Sequence, residues 1–135
     1  MIPPFDTHGY LPPGVHPASM ADIELRFGTQ SEIRRAQMES IRWMIDLARR
    51  AGARRIILNG SFVTDIIEPN DVDCVLLFES TEIQDFPAFE ELIEGLPYLD
   101  IVPADAAEFQ DYVDDVYASD RHGSRKGMIE IHDES

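Results

Sequence analysis

Residues 56–76 read IILNGSFVTDIIEPNDVDCVL, and the order of events in that stretch decides the fold. A β-rich run over 55–59 (RIILN) ends at Gly60-Ser61. Nine residues then separate Ser61 from Asp71, where Asp71-Val72-Asp73 opens a second apolar run over 71–78 (DVDCVLLF). Short β-branched runs bounded by glycine and by Pro69-Asn70 predict two strands joined through a turn. Side chains alternate along a strand, so Asp71 and Asp73 are expected on one face, with Val72 and Cys74 turned into the core. A third strand is predicted over 98–102 (YLDIV), where Asp100 stands between Leu99 and Ile101 at a position that would otherwise be apolar.

Working outward, Ser19 can cap a short helix running to about Phe27 and ended by Gly28. Ser31 is a fair N-cap for a long helix in which Ile33, Met38, Ile41, Met44, Ile45 and Ala48 recur at roughly helical spacing. That helix should reach about Arg50 and stop at Gly52, with Arg49 and Arg50 at the end that favours positive charge. Helices are also predicted over 86–96, with Phe89, Leu92 and Ile93 on one side, and over 106–117; a last strand is predicted over 128–132 (MIEIH). Strands alternating with helices imply an α/β fold in which helices pack on a sheet. Residues 1–18 hold five of the nine prolines, which predicts an extended arm, leaving 19–135 as one domain.

Charge narrows the function. The net charge is −15, and between Ile56 and Asp120 there are seventeen acids and no Lys or Arg. Such a surface repels a phosphate polymer and argues against extended nucleic acid as a partner. A triphosphate is still admissible, because bound metal reverses the local field. No apolar run approaches membrane-spanning length and the start lacks a secretory pattern, so no membrane is expected. Cys74 is the only cysteine, which suits a reducing cytoplasm.

Phosphoryl-type transfer requires the charge of phosphate and leaving group to be neutralised, which two metal ions about 4 Å apart can do. Magnesium takes oxygen ligands and keeps waters, so Asp71, Asp73 and Asp100 suffice as the protein's share. Gly60 lets the backbone approach the phosphates, and Ser61 can donate to them. Asp100, nearest the acceptor, is placed to help deprotonate the attacking hydroxyl.

The run IILNGSFVTDIIEPNDVDCVL resembles the signature of the polymerase-β-like nucleotidyltransferases, apolar-Gly-Ser followed after about ten residues by Asp-apolar-Asp-apolar. Within that superfamily it looks most like the minimal nucleotidyltransferases and their antitoxin-like relatives. GYLPPGVHP, GSFVT, PNDVD and the late KGMIEI also resemble a bacterial family that carries only a domain-of-unknown-function label. The resemblance implies a nucleotidyltransferase-like, mixed sheet of five strands or fewer, Mg²⁺ (or Mn²⁺), and transfer of a nucleoside monophosphate from ATP or another nucleoside triphosphate. The acceptor it implies is a hydroxyl on a protein, small molecule or RNA end. It assigns Gly60 and Ser61 to the phosphates and Asp71, Asp73 and Asp100 to catalysis and metal. One departure is that the gap before Asp71 holds Asp65 and Glu68 but no cation. Arg121, Lys126, Arg125 or the arginines of the long helix are then the candidates for triphosphate charge, Arg121 and Lys126 foremost.

A second function class is a non-catalytic antitoxin or immunity-type module whose acidic surface occupies a basic protein partner such as a toxin. The acidic stretch 105–120 reads first as a solvated helix face, and otherwise as a nucleic-acid mimic or a docking surface for a basic partner. His8, His16, His122 and His132 have no metal-ligand spacing. Trp43 sits beside the apolar stripe of the long helix and reads as packing.

Overall fold

A computed structural model describes residues 2–79 and 83–132. Five strands form one mixed sheet: β1 (Gly14–Ala18), β2 (Arg55–Asn59), β3 (Val72–Leu77), β4 (Leu99–Ala104) and β5 (Gly127–Ile131), ordered β1-β5-β2-β3-β4. Helices α1 (Met20–Phe27), α2 (Glu32–Ala51) and α3 (Phe86–Glu94) cover one face, and α4 (Ala106–Asp111) covers the other. The alternation of each strand sorts its residues between the two cores. Leu58, Val72, Cys74, Leu76 and Ile129 meet α1–α3, whereas Ile57, Val75, Leu77 and Met128 meet Phe109 of α4. Val72 and Cys74 are therefore core, as their spacing predicts.

Local chemistry sets the helix ends. The Ser19 hydroxyl accepts from Asp22 N and that of Ser31 from Arg34 N, while α2 stops at Gly52 in the left-handed conformation (φ 101). The α2 stripe is buried from Met38 to Ala48, and each fully buried Ile or Met contributes roughly 1.5–3 kcal/mol relative to exposure. On the other face Arg55 grips Glu130 through two bonds of 2.8 and 2.6 Å and lies over the Phe109 ring at 4.9 Å, fastening α4 to the sheet.

Four expectations change. Residues 14–18 are not part of a draped arm but an edge strand parallel to β5, where Pro17 is tolerated because an edge strand has an unpaired side. Strand β4 starts at Leu99 rather than Tyr98, because Tyr98 takes a positive φ of 66 and ends the preceding turn. The helix predicted over 106–117 widens after Asp111 into a π-turn (Tyr112–Val116) closed by Tyr117 N donating to Tyr112 O at 2.8 Å. Ile93 is exposed, so α3 packs through Ala88 and Leu92. Trp43 is half exposed and its ring N–H donates to Glu91 at 3.3 Å.

Among the described residues no helix is long and apolar enough to cross a membrane. Cys74 is fully buried, and burial pushes its thiol well above the ordinary range. Only the thiolate is nucleophilic, so the native protein should leave Ellman's reagent uncoloured and release one equivalent of chromophore once unfolded. Prompt labelling under native conditions would contradict the packing of β3.

Candidate functional site

The stretch 60–71 links β2 to β3 and is held to α2 by side chains that leave the helix three residues apart. Ser31 Oγ donates to Ile67 O at 3.0 Å, and Gln37 Nε2 donates to Pro69 O at 2.7 Å. Between them the Arg34 guanidinium, only 3% exposed, donates to Phe27 O (3.1 Å), Phe62 O (2.7 Å), Thr64 O (2.9 Å) and Ile66 O. The planar fork of arginine matches several carbonyls at once. From the opposite side the arm pins the same loop: Asp65 N donates to Gly9 O at 3.1 Å. Arg34 is therefore occupied in structure and is unavailable to phosphate. Arg42 pairs with Glu24, and Arg50 with Asp46 and Asp85, so these helix cations are committed as well.

At the end of this loop the register brings three polar side chains into one row. Asn59 of β2 faces Asp73 of β3, and Asp73 faces Asp100 of β4. Opposed residues on neighbouring strands share a face. Here it is the α4 face, since Ile57 and Val75, two positions along from Asn59 and Asp73, lie in that core. Gly60 turns the chain at φ 87, and a Cβ there would stand 2.9 Å from Asp73 Oδ2, so glycine is needed both for the bend and for the carboxylate beside it. Asp71 precedes β3 and is exposed; Asp100 is exposed on the edge strand.

Beside this row lies a cavity of about 350 Å³. Asn59, Gly60, Ser61, Thr64 and Asp73 line it, together with Tyr10 of the arm and Tyr117, Ser119, Asp120, Arg121 and Lys126. Part of the lining is a tight turn in which Asp120 Oδ1 accepts from His122 N and Ser124 N, both at 2.9 Å, while Tyr10 Oη donates to Asp120 Oδ2 at 2.7 Å. The bond from Tyr10 holds the Asp120 carboxyl below its usual range. Burial raises the Asp73 carboxyl, and the like charges of Asp100 and Asp71 raise it further against the opposing pull of Lys126. The Lys126 amine is lowered by burial, partly offset by Asp73 and Asp120.

Of the residues singled out from the sequence, Gly60, Ser61, Asp73, Arg121 and Lys126 surround this one cavity. Asp71 and Asp100 adjoin Asp73 rather than line it. Among the described residues no three His, Cys, Asp or Glu side chains are grouped closely enough to hold one metal ion. The donor chemistry still fits a hard cation. Carboxylates on adjacent strands are the ligands magnesium selects, and it fills its remaining positions with water and substrate oxygens. Asn59, Tyr10 and Asp120 were not legible as site residues. A larger groove of about 690 Å³ lies across the loop, but it presents Glu32 and Glu68 and no cation, which disfavours an anionic ligand.

A family model described as "Family of unknown function (DUF6932)" matches residues 3–132. No curated protein and no solved structure matches the chain.

Proposed function

The chain belongs to that family, and we propose that it transfers a nucleoside monophosphate from a nucleoside triphosphate to a hydroxyl with the help of a divalent metal. One observation carries the reading: the acid pair Asp73 and Asp100, in register, stands beside a cavity that Lys126, the chain's only lysine, and Arg121 also line. Carboxylates and cations gathered around one cavity are what a metal-bound polyphosphate requires, and about 350 Å³ is within the range of small-ligand pockets.

Asp73, with Asp100 in register beside it, would hold Mg²⁺ or Mn²⁺, which when bound supplies neutralisation of phosphate charge. The residues of the chain do the rest. Gly60 admits the phosphate against the backbone, and the Ser61 hydroxyl donates to it. Lys126 and Arg121 bind the β- and γ-phosphates and orient pyrophosphate as the leaving group. An acceptor hydroxyl attacks the α-phosphorus; the new O–P bond forms as the bond to the bridging oxygen breaks and pyrophosphate departs. Asp100 takes the hydroxyl proton, its exposure giving an acceptor access from solvent.

Incubation with α-labelled nucleoside triphosphates, Mg²⁺ and whole lysate, followed by mass spectrometry, tests the reaction. The expected result is a nucleoside monophosphate adduct on an acceptor that is absent in EDTA. No adduct under any triphosphate, together with recovery of a basic protein bound to the chain, would favour the binding-module alternative instead.

A further inference from the structure

We propose that the side-chain oxygen of Asn59 is a direct ligand of the divalent cation, a role that rests on the metal-dependent reading above. Asn59 is 1% exposed, lines the cavity, and its Oδ1 has no hydrogen-bond partner among the described residues. A buried acceptor left unpaired costs roughly 1–3 kcal/mol, so a side chain with a purely packing role at this position would be better replaced by an apolar one. Asn59 is the register partner of Asp73, which is the register partner of Asp100, so an amide oxygen and two carboxylates stand in one row across β2, β3 and β4.

The identity of the ligand follows from what satisfies the row as a whole. A neutral hydroxyl would serve Asn59 Oδ1 and leave the adjacent carboxylates facing each other. A hard cation serves the amide oxygen and the carboxylates together, and such ions take carbonyl and carboxylate oxygens side by side. The acids alone do not supply three grouped ligands, and the amide adds one oxygen without adding a further negative charge.

The experiment is a titration with Mn²⁺ alone, without nucleotide, followed by the loss of the free-ion paramagnetic resonance signal, on the wild-type chain, Asn59→Ala, Asn59→Asp and Asp73→Asn. Asn59→Ala is expected to weaken Mn²⁺ binding at least about tenfold, the loss usual for groups that support a metal. Its metal-free melting temperature should not fall, because an unpaired buried acceptor has been removed. Asn59→Asp is expected to bind Mn²⁺ at least as tightly as wild type, while its metal-free form melts lower and is restored by the ion. Wild-type affinity in Asn59→Ala alongside weakened binding in Asp73→Asn would overturn the role of Asn59 and leave the metal reading standing. Equal binding by wild type and Asp73→Asn, or none by wild type, would overturn both. If Asn59→Ala does not fold, Asn59→Asp decides: retained or tighter binding supports the assignment, and lost binding overturns it.

Discussion

Arg34→Met is expected to lower the stability of the protein by about 3–5 kcal/mol. The guanidinium spans carbonyls of Phe27, Phe62, Thr64 and Ile66, so its removal strands several acceptors, each costing roughly 1–3 kcal/mol where water cannot reach it. Thermal unfolding should therefore shift down by roughly 10–20 °C for a domain of this size. Arg34→Lys should recover only part of the loss, because one ammonium cannot reproduce a planar fork that reaches carbonyls on both sides. The same variant should loosen the Ser61–Val63 turn and so weaken triphosphate binding without touching the ligand. A melting temperature within a few degrees of wild type would mean that the loop is held by something other than this clamp.

Asp73→Asn should separate stability from function in opposite directions. Outer-sphere partners of metal ligands typically cost 10–100-fold when removed, so loss of a central carboxylate should reduce nucleotidyl transfer by at least about a hundredfold. The metal-free fold should instead become more stable at neutral pH. The folded-state pKa of Asp73 is raised by burial and by Asp100 and Asp71. A raised carboxyl contributes stability that is fully present below its unfolded-state pKa and is lost as pH rises through the folded one. At neutral pH the wild type has lost that contribution, and the neutral amide avoids the loss. Melting curves of metal-free protein should accordingly place Asp73→Asn above wild type at pH 7, with the gap closing as the pH falls into the acid range. A variant less stable than wild type at pH 7 would mean that the carboxylate is held by bonds that favour its charge.

The strand–bend–strand of residues 56–76 and the long α2 helix were legible because each is specified locally. Ser31 and Gly52 cap α2, and β2 and β3 are short β-branched runs with turn residues between. The pairing of Asp73 with Asp100 was not legible beyond the presence of an acid in a third strand, because the one-to-one register depends on how β4 aligns on β3. Residues 14–18 were read as arm because Pro17 hides a strand that pairs on one side only. Arg34 counted as a helix cation, although its place among Gln37, Met38 and Ile41 on the buried side of α2 was a signal that its charge is spent inside. Asn59 and Tyr10 gave no signal at all: Asn59 follows an apolar run as any strand-ending residue does, and the bond from Tyr10 to Asp120 spans 110 positions.

Equilibrium titration of the wild-type chain with ATP and the other nucleoside triphosphates, in Mg²⁺ and again in EDTA, tests the central claim most directly. Saturable one-to-one binding that needs the metal and is lost in Asp73→Asn is the result predicted. Absence of binding at millimolar triphosphate, or binding indifferent both to EDTA and to Asp73→Asn, would contradict it.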